Sequence, residues 1–210
     1  RVLSRFLPAA VIANSRETMN TLPRRWHASV LYNPILPDVL EARVPRRGSK
    51  SPALTVGMIG RLSPWKGQEV FLDAFTQAFR RRDVRGRLVG SALFGEDEYA
   101  SSLVERASAL DISDQIEFRG FREDVLAELR ELDILVHCSV RPEPFGQVVL
   151  EGLAAGVPVI ASNAGGPAEL ITNGVDGILT TPGDVSELAD ALRMLADDAN
   201  LRARIGAAGR

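Results

Sequence analysis

The chain has 210 residues, 45% apolar and 25% charged, the balance of a soluble globular protein long enough to bury its own core. A net charge of −2 gives no sign of a nucleic-acid partner. No run reaches the roughly 20 apolar residues that span a bilayer, and a single cysteine, Cys138, excludes an intrachain disulfide and suits a reducing compartment.

Charge is unevenly placed. Residues 1–50 carry nine Arg and Lys against three acidic residues, net +6, while the other 160 carry 16 basic and 24 acidic residues, net −8. The leading segment reads as solvated surface and linker, with attraction to an anionic lipid or acceptor as the alternative. Val11–Asn14 is strand-like, and Ser15 is placed to cap a helix that runs to Leu22 before Pro23. Ser29–Tyr32 suggests a second short strand, and the Pro-, Arg-, Gly- and Ser-rich stretch 33–52 a linker.

From Ala53 onward strands and helices alternate. Strands are expected at Leu54–Ile59, Arg87–Val89, Gln115–Phe118, Ile134–Cys138, Val157–Ala161 and Gly177–Leu179. Helices are expected at Gln68–Arg81, Glu98–Leu110, Val125–Leu132, Gln147–Ala155, Pro167–Thr172 and Ser186–Asp197. The strands are short and uniformly apolar, as in a parallel sheet covered on both faces. The expected fold is therefore a doubly wound, Rossmann-like α/β domain, whose ligands bind beyond the carboxyl ends of its strands.

Two loops at those ends carry chemistry. Gly60-Arg61-Leu62-Ser63-Pro64-Trp65-Lys66-Gly67 opens onto the helix from Gln68. Its two cations stand at a helix N-terminus that already favours anions; a guanidinium fork and a point charge together suit a diphosphate. The competing reading is two solvated basic residues. The loop has neither Walker nor dinucleotide-fingerprint spacing. After the fourth main strand comes Arg141-Pro142-Glu143-Pro144-Phe145-Gly146-Gln147-Val148-Val149-Leu150-Glu151. Glu143 lies in a proline-stiffened loop and Glu151 about a turn into the helix, so both can face the crevice at different depths. Either carboxylate can accept hydrogen bonds from vicinal sugar hydroxyls. The following turn, Ser162–Pro167, is expected to offer free amides. Cys138 reads as a buried structural thiol, His137 as a satisfied near-core residue and His27 as structural; no cluster has metal-ligand spacing.

Four motifs in this order resemble the sugar-donor half of the GT-B glycosyltransferases, specifically retaining family 4, also called glycosyl transferases group 1. They are Gly60–Gly67, Glu143–Glu151, Ala154–Val159 and Gly165–Glu169. The resemblance implies a retaining transfer from a nucleotide-diphosphate sugar with no cofactor and no catalytic metal. Arg61 and Lys66, together with Gly60, would hold the diphosphate. Glu143, beside Phe145, Gly146 and Gln147, would contact the sugar, and Glu151 the ribose. Arg119, Gly120 and Phe121 would meet the base, chiefly through backbone. Arg61, Lys66 and Glu143 are the residues implied in catalysis.

Two positions depart from the family pattern: Gly152 stands where Ala is usual, and the loop Gly90–Gly95 is longer than usual. The same resemblance divides the chain into a remnant of an N-terminal acceptor domain (1–28), a lead-in (29–52) and a donor-binding domain (53–210). The chain alone is then expected to bind donor without transferring sugar. The acceptor, a sugar, lipid-linked sugar or small molecule, would be recognised by the missing domain. A cytoplasmic place is expected, with peripheral membrane contact as an alternative. The rival readings are a glycoside hydrolase using Glu143 and Glu151, a non-catalytic nucleotide-sugar-binding module and a sugar-nucleotide epimerase. Substitutions of Arg61 or Lys66 are expected to weaken binding without unfolding the domain.

Overall fold

The computed structural model describes residues 10–23, 26–35 and 53–210. Most of the basic leading residues (Arg1, Arg5, Arg24, Arg25, Arg43, Arg46, Arg47, Lys50) and positions 36–52 of the expected lead-in lie outside that set. The leading unit is β1 (Val11–Ala13), α1 (Arg16–Asn20) and β2 (Ala28–Val30), with β1 and β2 paired in parallel. Ser15 caps α1 as its position suggests, accepting from the Thr18 N–H at 2.9 Å, but the helix ends at Asn20.

The main body runs β3 (Leu54–Ile59), a 3-10 turn (Pro64–Lys66), α2 (Gln68–Phe79), β4 (Val84–Val89), α3 (Asp97–Ala109), β5 (Ile116–Gly120), α4 (Val125–Arg130) and β6 (Ile134–His137). It continues with α5 (Gln147–Ala154), β7 (Val159–Ser162), α6 (Pro167–Leu170), β8 (Ile178–Thr180), α7 (Val185–Asp197) and α8 (Ala199–Gly209). Six parallel strands form one sheet in the order β5-β4-β3-β6-β7-β8. The expected doubly wound sheet is what the chain forms.

Two apolar clusters cover the sheet. One contains Phe71, Phe75 and Phe79 of α2 with Leu103, Leu188 and Leu192. The other contains Leu129, Leu132, Leu135, Val149 and Leu153. The three α2 phenylalanines recur every four residues, so they stack along one helix face with centroids 5.9 and 5.2 Å apart. All three are fully buried, worth roughly 1.5–3 kcal/mol each in transfer free energy.

Two differences from expectation have physical causes. β4 starts at Val84 rather than Arg87, because Arg85 and Arg87 interrupt its apolar run. Arg87 nevertheless lies within the sheet, its guanidinium drawn onto Glu117 at 3.0 Å and Glu128 at 3.7 Å. The residues after Asp197, where the sequence pattern predicts no element, form α8 (Ala199–Gly209). Asp198 caps it by accepting from the N–H groups of Asn200 and Leu201, both at 2.9 Å, and Ile205 is buried. An Ala- and Gly-rich helix carries little apolar periodicity, so the pattern was faint.

Candidate functional site

In an open parallel sheet, ligands bind where the strand order reverses, since the loops on either side splay apart there. Here the reversal lies between β3 and β6, which are adjacent in the sheet although β4 and β5 intervene in the chain. The loop after β3 carries Arg61 and Lys66, and the loop after β6 carries Glu143. The two are laced together: the Val140 N–H donates to the Trp65 carbonyl at 2.9 Å, and the Cys138 thiol to the Gly67 carbonyl at 3.0 Å. Gly67 makes this approach possible. A Cβ at that position would stand 2.1 Å from the Cys138 carbonyl oxygen, and its φ of 81° is left-handed.

Lys66 Nζ reaches across the crevice to both Glu143 oxygens, at 2.5 and 2.7 Å. The ammonium also lies over the Trp65 ring, 4.3 Å from its centroid. Two more donors converge on Glu143 Oε2: His137 Nε2 at 2.9 Å and Ser139 Oγ at 2.9 Å. Burial pushes the Glu143 carboxyl up, but the His137 hydrogen bond and the Lys66 charge outweigh it and hold the group down at about 2.

Glu151, the fifth residue of α5, has a different setting. It is half-buried, its one side-chain partner among the described residues is Gln147 Nε2 at 3.3 Å, and burial pushes its carboxyl up against that weak contact. Gln147 in turn accepts from Asn33 Nδ2 at 3.2 Å. Both α2 and α5 begin at a left-handed glycine, Gly67 and Gly146, with no capping side chain on their first-turn amides. Such uncapped N-termini suit anionic oxygens.

Glycosyl transferases group 1 is the family that matches residues 42–210. The chain belongs to that family. It is 33% identical over 188 residues to a GDP-mannose-dependent monoacylated alpha-(1-6)-phosphatidylinositol monomannoside mannosyltransferase of Corynebacterium glutamicum, covering 85% of this chain and 47% of the relative. It also resembles HepE of Anabaena, solved with UDP and glucose, at 35% identity and a TM-score of 0.87, covering 99% of this chain and 59% of that one. The C-terminal domain of a glycosyl transferase group 1 protein (LpcC) from Francisella tularensis matches at 30% identity and a TM-score of 0.71, over 80% of this chain and 89% of that domain. The chain spans about half the length of the curated relatives it matches. The hydrolase, binding-module and epimerase readings gain no support from these likenesses.

Within this glycosyltransferase fold, the sequence-derived residues divide into three groups. Lys66 and Glu143 meet directly. Arg61 shares the Lys66 loop, but its side chain meets the loop after β4, with Nε 4.0 Å from Glu96 and the guanidinium 5.2 Å from the Phe94 ring centroid. Phe94 belongs to the long loop after β4, whose Ala92 bridges Leu62, so that loop packs directly on the Arg61 strand end. Arg119, Gly120 and Phe121 lie at the end of β5. The Arg119 side chain is taken up by Glu117 and Glu128, both at 2.9 Å, while Phe121 is exposed. Phe145 is buried against Tyr32 with ring centroids 6.1 Å apart, which leaves its backbone as the part near Gly146.

Three expectations are corrected. His137 is not a satisfied core residue: it is buried, but Nδ1 has no hydrogen-bond partner among the described residues and Nε2 belongs to the Glu143 network. The turn Ser162–Pro167 does not hold a row of free amides. The N–H groups of Asn163, Ala164 and Gly166 are committed to Thr180, Ser162 and Glu143 carbonyls. Lys66 is not an exposed loop cation, since it is the partner of a largely buried carboxylate.

Cys138 is the buried thiol expected, pushed up to about 12 by burial, and His27 is exposed just before β2. Sequence reasoning missed His137 and Ser139, although both stand at the carboxyl end of a strand aimed at the crevice. It also missed the role of Glu169, which accepts from the N–H groups of Arg16 and Glu17 at 3.0 and 2.8 Å and from the Tyr32 hydroxyl at 3.0 Å. That carboxylate ties the leading unit to the domain beside α5. Position 152 is crowded: a Cβ there would lie 2.4 Å from Leu135 Cδ2 and 3.1 Å from Val159 Cγ2, so an Ala would require those side chains to shift. Among the described residues no group of three or more His, Cys, Asp or Glu is placed to hold a metal ion, and no helix is long and apolar enough to cross a membrane.

Proposed function

We propose that this chain binds the nucleotide-diphosphate sugar of a retaining hexosyl transfer, with Arg61 and Lys66 on the diphosphate, Glu143 on the sugar and Glu151 on the ribose. The observation that carries this reading is the Lys66–Glu143 contact across the strand-order reversal. It puts a cation suited to phosphate beside a carboxylate suited to sugar hydroxyls, where diphosphate and sugar are joined in such a donor. The glycines at the starts of α2 and α5 leave backbone amides available to the same anion. Likeness to a protein solved with UDP-glucose, and to a relative named for GDP-mannose, supports the donor class and leaves the base open.

In this mechanism the chemistry is departure of a nucleoside diphosphate. Arg61 and Lys66 stabilise the charge that gathers on the leaving phosphate, and preorganised electrostatics of this kind is usually the largest catalytic contribution. Those two cations neutralise the diphosphate without a metal. The backbone of Arg119–Phe121 meets the base, and the acceptor attacks from the face the leaving group vacates, preserving the anomeric configuration. The acceptor is held by residues outside this chain, in keeping with relatives about twice its length. The chain by itself then binds donor and transfers nothing, because orienting two reactants supplies about 7–11 kcal/mol of a barrier. A cytoplasmic place, with the basic leading segment against an anionic membrane surface, accords with its net +6 charge.

Thermal shifts with UDP-glucose, GDP-mannose, ADP-glucose and their free diphosphates, with and without EDTA, test the binding reading. A rise in melting temperature with one base series, unchanged by EDTA, is expected by mass action. No shift with any of them, or a shift that EDTA abolishes, contradicts it.

A further inference from the structure

The four donor contacts to Glu143 are unequally distributed. Among the described residues, Oε1 is approached only by Lys66, at 2.5 Å. Oε2 is approached by Lys66 at 2.7 Å, His137 Nε2 at 2.9 Å and Ser139 Oγ at 2.9 Å. One oxygen is thus anchored to the end of β6, and the other depends wholly on a side chain that the proposed function assigns to phosphate. When Lys66 turns toward a diphosphate, a carboxylate only 13% exposed loses the ammonium that pairs with it. Burial alone would then favour the neutral acid.

We propose that His137 and Ser139 are positioning residues that keep Glu143 in place and ionised while Lys66 is engaged elsewhere, leaving Oε1 open to a donor-sugar hydroxyl. The inference rests on the reading of Glu143 as the sugar contact. The histidine's tautomer follows from its surroundings. Nδ1 is buried with no partner, and an unpaired buried N–H costs more than an unfilled lone pair opposite no donor. The proton therefore sits on Nε2, aimed at Glu143. The alternative tautomer would set a bare lone pair against a carboxylate oxygen. Ser139 is fully buried and lies 3.1 Å from the same Nε2, so the three groups form a closed triangle.

Among the described residues, the charged or titratable groups facing the carboxylate are Lys66 from the turn before α2 and His137 from β6. The turn before α6 meets Glu143 through backbone alone, the Gly166 N–H donating to its carbonyl at 2.8 Å. Nothing else here replaces Lys66.

A test needs no nucleotide at first. Lys66→Ala mimics the diverted lysine, and carbon-13 NMR of the Glu143 carboxyl reports its titration. In Lys66→Ala the carboxyl should still titrate below the ordinary glutamate range. Adding His137→Leu and Ser139→Ala should move it above that range, and His137→Gln, which keeps a donor near Nε2, should restore it. Ser139→Ala against Ser139→Thr in the same background gives a smaller shift of the same sign if the leucine variant does not fold. Identical titration in all these variants overturns the proposal.

The second arm measures binding with Lys66 intact, for UDP against UDP-glucose and GDP against GDP-mannose. The His137→Leu, Ser139→Ala pair should weaken the matching nucleotide sugar about tenfold near neutral pH, more as pH falls, and spare the free diphosphate. An equal loss for both ligands, flat with pH, marks a merely structural role and overturns the proposal. If wild type binds none of the four probes, the donor reading fails by itself and the NMR arm decides this inference.

Discussion

Glu143 and Glu151 stand eight positions apart, one in the loop beyond β6 and the other a turn into the helix that loop feeds, and the fold treats their carboxyl groups in opposite ways. Glu143 is surrounded by an ammonium, an imidazole N–H and a hydroxyl, and is held down at about 2. Glu151 has a single amide contact at 3.3 Å and is pushed up by burial. The loop carboxylate is therefore part of what holds the two crevice walls together, while the helix carboxylate is a polar group kept at some cost where a ligand can use it. Groups whose environment disfavours their charge concentrate at functional sites, and on that ground Glu151 is the stronger mark of binding and Glu143 combines binding with structure.

The largest effect that sharpens this contrast is expected from Lys66→Ala. It removes a diphosphate partner and strands a buried carboxylate, so affinity for the nucleoside diphosphate should fall by roughly 2–5 kcal/mol in calorimetry. Stability should fall too, by about 1–3 kcal/mol in urea unfolding, since an unsatisfied buried acceptor remains. Arg61→Ala should weaken binding with little change in stability, its half-buried pairing with Glu96 being long at 4.0 Å and worth under about 1 kcal/mol. Equal stability losses in the two variants would break the contrast between a paired and an accessory cation.

Acid sensitivity comes next. The folded Glu143 carboxyl lies below its unfolded value, so its contribution is fully present above about pH 4.5 and is lost as pH falls through about 2. The shift corresponds to about 3 kcal/mol. Glu143→Gln should therefore be less stable than wild type at neutral pH, with the difference shrinking between about pH 4.5 and 2. The linkage has the other sign for Glu151, whose raised carboxyl makes its ionisation unfavourable to folding as pH climbs past its folded value. Glu151→Gln should leave neutral-pH stability unchanged or raise it, the opposite sign to Glu143→Gln. Between these in size is Gly152→Ala: a Cβ 2.4 Å from Leu135 Cδ2 and 3.1 Å from Val159 Cγ2 makes those buried side chains shift, costing about 1–3 kcal/mol. It should also weaken nucleoside diphosphate through the adjacent Glu151, whereas affinity unchanged despite lost stability would separate packing from the ribose contact.

The two glutamates also mark how far the sequence alone could be read. Apolar periodicity and the strand–helix alternation were enough for the parallel sheet and for β3, whose residues Leu54–Ile59 carry no charge to obscure the pattern. β4 was shortened because Arg85 and Arg87 look like solvent residues until Glu117 and Glu128 are seen opposite them. Motif spacing brought Lys66 and Glu143 to the same crevice, but not into contact. Their pairing depends on Gly67 passing against the Cys138 carbonyl, which is a tertiary fact. His137 was misread for a similar reason. An imidazole in an apolar run is ordinarily core, and only the bend of the chain from β6 back to Glu143 makes it part of the site. Glu169, 153 positions from Arg16, has no local signal for its partner.

The most direct measurement is calorimetric titration of wild type, Glu143→Gln and Glu151→Gln with a free nucleoside diphosphate and its nucleotide sugar, using the UDP and UDP-glucose pair and the GDP and GDP-mannose pair. A hydrogen bond to a charged group is worth about 1.5–3 kcal/mol, a loss of tenfold or more in affinity. The account predicts that Glu151→Gln weakens the free diphosphate and the nucleotide sugar alike. Glu143→Gln should weaken the nucleotide sugar well beyond the free diphosphate. If Glu143→Gln impaired both ligands equally, or Glu151→Gln spared the free diphosphate, the division of sugar and ribose between the two carboxylates would be contradicted.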